Sequence, residues 1–231
     1  MICPVLAANT VRDLLGGGET LSATLRLVII ITALTILPSI VLMTTSFIRI
    51  SIVLSFVRRA LGTQDLPPNQ VIVGLALFLT FMIMAPTWTE AWREGVEPYL
   101  DYRKSEEDAL AAVAKPVRRF MFAHMARADL DTFLRLAGRQ TDSALRLQDI
   151  ETHVVVSAFM TSELKRAFTM GFLIYLPFLV IDLMVASVLV SMGMLVLPPV
   201  LVSLPCKILL FVLVDGWGLV IGKVAESFMT G

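Results

Sequence analysis

The chain has 231 residues, with 19 basic and 19 acidic side chains for a formal net charge of zero, and it is 57% hydrophobic. A mean hydropathy of +0.81, and an apolar content above the roughly 45–50% of soluble domains, place it in lipid or in a large apolar assembly. The absence of net charge and of any Lys/Arg-rich run argues against a nucleic-acid partner. Cys3 and Cys206 lie at opposite ends of the sequence without a CxxC, and neither His124 nor His153 sits in an HExxH. No metal, cofactor or catalytic centre is expected from them.

In chain order, residues 1–24 contain Gly16, Gly17 and Gly18 and read as a flexible lead-in. They lack a basic stretch followed by an apolar one, so no intact signal peptide is visible. Residues 25–88 form a first hydrophobic hairpin, with one span ending near Phe56 and the other running from Val71 to about Met84. Of the 38 charged residues, 25 fall between Thr89 and Arg166, which makes residues 89–166 a solvated polar insert. Residues 167–231 form a second hydrophobic hairpin, with Pro198 and Pro199 as the natural break between its arms. Each hairpin is long enough for two crossings at ~20 apolar residues apiece. The expected fold class is all-α: four hydrophobic segments in membrane-associated hairpins around a helical polar insert.

The turn between the first two spans carries Arg58 and Arg59 against Asp65 alone, which places it in the cytoplasm under the positive-inside rule. Both termini and the insert then lie on the outer side, since a segment this long translocates largely regardless of charge. Within the insert, Ser105 and Asp108 predict a capping box opening a short helix, and Pro116 opens another. Val117, Phe120, Met121, His124 and Met125 recur at helical spacing, so His124 reads as a core histidine. Leu130, Phe133, Leu134 and Ala137 continue the pattern, and Gly138 suits a C-cap. From Asp149 a further helix runs through Glu163 into the third apolar segment.

Asp182 is the anomaly of that segment, because an acid at a helix centre in lipid costs ~2.5–3.5 kcal/mol even on the lenient insertion scale. It must face protein or water. Lys207, Arg49 or a residue of another subunit can partner it, and both a structural pair and a proton or ion relay stay open. Ser187 with Ser191, and Gly218 with Gly222, give small-xxx-small spacings that favour close helix approach. Met192 to Leu197 form an apolar turn before the prolines. That turn is either plain hairpin packing or, if several copies meet on an axis, a deformable constriction.

Thr44-Thr45-Ser46-Phe47 with Arg49, Arg59-Ala60-Leu61-Gly62-Thr63-Gln64, Pro67-Pro68-Asn69-Gln70 and Gly74 to Phe81 closely resemble the FliP/SctR family of type III export gate proteins, in its flagellar branch. Ser162 to Lys165, Gly171 to Tyr175, Asp182-Leu183, Ser203-Leu204-Pro205 with Lys207, and Leu213 to Trp217 follow in the family's order. The resemblance runs from about Leu34 to the C-terminus. It implies a non-enzymatic channel subunit of the bacterial inner membrane and flagellar basal body, with the insert toward the periplasm. The implied partners are four further copies in a pentameric helical ring, FliQ-like and FliR-like gate proteins, other basal-body and export components, and unfolded flagellar proteins as substrates. The family's methionine-rich pore gasket falls by position on Met194, Leu195 and Val196, of which only the first is methionine here. Glu163, Asp182, Lys207 and Arg49 are implied assembly contacts. An ion or proton channel built around Asp182, and the homologous virulence secretion gate, are the competing readings.

Overall fold

The computed structural model describes residues 23–63, 66–139, 149–194 and 196–229. Among them all regular structure is helical: α1 (Ala23–Met43), α2 (Phe47–Leu61), α3 (Asn69–Ala91), a π-helical turn (Trp92–Val96), α4 (Glu97–Leu100), α5 (Glu106–His124), α6 (Arg127–Leu136), α7 (Thr152–Ser191), α8 (Pro199–Leu213) and α9 (Gly216–Met229). The glycines at 16–18 and Asp65 lie outside the described residues. Among the described residues two helices are long and apolar enough to cross a membrane, Asn69–Leu100 with 32 residues and Thr152–Ser191 with 40. The other two apolar segments are interrupted. The first, expected to end near Phe56, is broken after Met43 and resumes at Phe47; at the break Thr44 and Thr45 turn their hydroxyls onto the carbonyls of Ile40 (3.0 Å) and Leu42 (3.2 Å), a local bonding that competes with helix propagation. The last bends by 63° between α8 and α9.

The chain forms two compact units, Met1–Thr45 with Ala85–Ser162 and Ser46–Met84 with Glu163–Gly231. In the first, Phe120, Met121, Met125, Leu134, Val155, Ala158 and Phe159 are buried. Ser105 caps α5 as expected, accepting from the Asp108 N–H at 3.2 Å and donating to its carboxylate at 2.8 Å. The helix does not restart at Pro116, however. It runs 19 residues with Pro116 buried inside it, so the missing N–H is tolerated where the ring adds to the core. Gly95 lies in the π-helical turn against α5, and an added Cβ would stand 2.5 Å from Val113 Cγ2 and 2.9 Å from the Ala109 carbonyl oxygen. Arg118 donates to Thr152 Oγ1 at 2.7 Å and to the Ile150 carbonyl at 2.8 Å, and burial pulls its guanidinium below the usual value.

The second unit is assembled around α2, whose Ile50, Val53, Leu54, Val57, Ala60 and Leu61 are buried at helical spacing. Phe56 packs edge-on against Phe168 at 5.5 Å and lies so close to Gly171 that any Cβ there would be 2.5 Å from its ring. Glycine is what lets α2 and α7 approach. At 1.5 Å per residue, the 40 residues of α7 extend about 60 Å, twice the ~30 Å hydrocarbon core.

Candidate functional site

Every charged side chain that the sequence singles out for assembly belongs to the second unit, and two ion pairs collect them. Arg49, on α2, is 1% exposed. Its Nε donates to Glu163 Oε2 at 2.8 Å and its Nη2 to Glu163 Oε1, the two-pronged geometry that guanidinium and carboxylate share. Nη1 donates to the Ser227 carbonyl at 3.2 Å and to its hydroxyl at 2.9 Å, and the guanidinium carbon sits 3.8 Å from the centre of the Phe228 ring. One side chain thus ties α2 to α7 and α9. This network satisfies a charge that burial would otherwise penalise heavily.

Asp182 is not paired with Arg49, one of the three partners its chemistry allowed. Lys207 Nζ donates to its Oδ2 at 2.6 Å and Ser203 Oγ to its Oδ1 at 2.6 Å, so both carboxylate oxygens are engaged by α8. The Lys207 side chain is 4% exposed and that of Asp182 30%. Ser203 and Lys207 stand at i and i+4, one face of one helix, and that spacing was the signal by which the serine could have been found. Phe178 and Phe211 (6.2 Å), then Phe211 and Trp217 (5.3 Å, edge-on), carry the contact on to the α8–α9 bend. Gly216 admits the Phe211 ring, since an added Cβ would stand 2.2 Å from it, and Asp215 turns the chain at φ 49°. Ser227, Phe228 and the role of Gly216 were not anticipated from sequence.

The turn that joins α7 to α8 closes with Gly193 at φ 74°, and the Met194 and Gly193 N–H groups bond to the carbonyls of Leu189 and Val190. Met194 is exposed and Val196 almost wholly so; Leu195 lies outside the described residues. Pro199 supplies the first position of α8, where proline loses nothing. Arg58 and Arg59 occupy the last turn of α2, favourable to its dipole, ahead of the left-handed Gly62. His124 is a buried core residue, its Nδ1 2.8 Å from the Phe120 carbonyl and its ring 4.4 Å from that phenyl. Among the described residues no three His, Cys, Asp or Glu side chains gather as metal ligands would. Gly222, half of the GxxxG spacing, has no atom within 4 Å of where its Cβ would be.

Membrane-length helices with paired charges buried in an apolar unit define the class: a helical protein with segments capable of spanning a membrane. The FliP family model matches residues 30–224, and the chain belongs to that family. It is 50% identical over 210 residues, 91% of this chain and 94% of the other, to the flagellar biosynthetic protein FliP of Bacillus subtilis. Against the protein of the same name from Caulobacter vibrioides it is 47% identical, covering 100% and 86% of the two chains. Against that of Aquifex aeolicus it is 46% identical, covering 92% and 89%.

Proposed function

We propose that this chain is a core channel subunit of the flagellar type III export gate, five copies of which join FliQ-like and FliR-like proteins around a pore that carries unfolded flagellar proteins across the bacterial inner membrane. The flagellar name shared by the relatives supports that branch over virulence secretion. The observation that carries the reading is α7. It is about twice as long as a bilayer core is thick, and only 11% of its most apolar window is buried within its own chain. Its first half is already buried against its own chain, at Val155, Ala158, Phe159, Glu163 and Ala167, so the bare stretch is the apolar second half, which in this reading is covered by neighbouring subunits as well as by lipid. In this reading the insert, residues 89–166, faces the periplasm, the Arg58-Arg59 turn faces the cytoplasm, and Met194, Leu195 and Val196 project as an apolar gasket into the pore. The two ion pairs hold each subunit in the shape that assembles.

The test is substitution of glycine at Met194, Leu195 and Val196 together. Membranes should become leaky to ions while the ring keeps its mass in native mass spectrometry. Unchanged leakage from an intact ring removes the gasket. The competing reading, ion conduction through Asp182, predicts instead that Asp182→Asn abolishes ion flux with assembly intact. A carboxylate whose two oxygens are both engaged by fixed donors favours the structural role.

A further inference from the structure

We propose that the exposed tip of the first unit at Tyr99–Lys104 docks a second copy of this chain, meeting that copy's basic edge on α5 and α6. This deepens the oligomeric reading above and rests on it. The starting observation is a helix cap that recurs three times among the described residues. At α6 and α7 the left-handed residue is glycine, Gly138 at φ 73° and Gly193 at φ 74°, each with the paired hydrogen bonds of a Schellman turn. At the end of α4 the same bonds recur, Arg103 N–H to the Pro98 carbonyl at 2.8 Å and Tyr102 N–H to the Tyr99 carbonyl at 3.0 Å, but the left-handed residue is Tyr102 at φ 56°. A bulky side chain there is strained where glycine is not, and Tyr102 gains no packing in return because it is 97% exposed. What the position retains is the ring itself. Tyr99 and Leu100 beside it are exposed as well, and exposed aromatic anchors of this kind are what interfaces are built on.

Lipid does not account for the tip. In the helix Asn69–Leu100 the ~20 residues that cross hydrocarbon end near Trp88, which suits an interfacial tryptophan. Leu100 lies about 18 Å further along, beyond a headgroup layer of about 5–8 Å. The charges indicate what does cover it. Residues 93–108 carry six acids against three bases; within the tip Asp101 is paired with Arg103, and the excess acid comes from Glu94 and Glu97 before it and Glu106, Glu107 and Asp108 after it. Residues 115–139 carry six bases against two acids; Arg119 and Arg139 are paired with Glu90 and Glu151, and Lys115, Arg127 and Arg135 stay exposed. α5, Glu106–His124, runs about 28 Å from the acidic end toward the basic one. A surface with opposite charge at its two ends complements a second copy of itself head to tail, and such contacts close into a ring when the rotation between successive copies closes.

With Cys3 and Cys206 replaced by serine, Tyr102→Cys combined in turn with Lys115→Cys, Arg127→Cys or Arg135→Cys is oxidised mildly in native membranes. The expected result is a ladder of disulfide-linked multimers for at least one pair. No ladder from a particle whose native mass is still a ring overturns this contact and leaves the gate reading standing; no ring at all overturns both. A dimer formed by Tyr102→Cys alone overturns the head-to-tail arrangement, and quenching of Tyr102 by brominated lipid assigns the tip to the membrane and overturns the proposal. Tyr102→Gly separates contact from folding, because glycine suits this backbone. Its melting temperature should hold or rise while self-association weakens about tenfold, and undiminished association overturns the proposal.

Discussion

Replacing Glu163 by alanine leaves the Arg49 guanidinium charged, 1% exposed, and stripped of the carboxylate that accepts from its Nε and Nη2. What remains is Ser227 on Nη1 and the Phe228 ring. Removing one member of a buried pair costs ~3–5 kcal/mol because the other charge is stranded. Two charge-assisted hydrogen bonds at ~1.5–3 kcal/mol each give the same range. For a chain of this size each kcal/mol moves the melting temperature by ~2–4 °C, so a fall of about 6–20 °C is expected. Intrinsic fluorescence of the three tryptophans during heating in mild detergent reads it. The joint change Arg49→Met with Glu163→Met should recover most of the loss, since neither charge is then left behind. A fall below about 2 °C for Glu163→Ala, or a double variant as unstable as the single one, refutes the reasoning.

The Asp182–Lys207 pair should respond asymmetrically. Asp182→Ala strands a lysine that is 4% exposed and lowers stability by ~3–5 kcal/mol, whereas Lys207→Met leaves a carboxylate that is 30% exposed and still accepts from Ser203, so thermal unfolding of the two should place the aspartate variant clearly lower. Gly95→Ala meets a carbonyl oxygen at 2.9 Å that cannot swing away, and a loss of ~1–3 kcal/mol is expected in the same assay. Gly222→Ala, in α9 with open space around the new methyl, should instead gain ~0.5–1 kcal/mol. Gly216→Ala drives a methyl into the Phe211 ring at 2.2 Å and should loosen the α8–α9 bend, read as lower melting and altered Trp217 emission.

The sequence made the helices legible because one periodicity ran through it without competition, and the Ser105 cap and the Gly138 stop carried their own local chemistry. It did not make the interruptions legible. Thr44 and Thr45 break an apolar run through hydroxyls whose alternative bonds cost no hydrophobicity, and a scan for apolar length passes over them. Pro116 misled in the opposite direction, since its burial within α5 depends on a core that sequence spacing does not display. Asp182 announced itself by its cost, and Lys207 was one of three cations available to it. The Arg49–Glu163 pairing was not readable, because it joins residues 114 apart and nothing local at either end selects the other.

That separation bears on how the chain is made. The partners of Arg49 lie 114 and 178 residues downstream, and a ribosome adds ~5–20 residues per second. Roughly 10–35 seconds pass at that pace between the emergence of Arg49 and that of Ser227. For the first ~6–23 seconds of this interval, until Glu163 emerges 114 residues on, the guanidinium has no carboxylate beside it. The second unit therefore closes around Arg49 only late in synthesis, and a nascent chain released before Glu163 carries this arginine without its carboxylate.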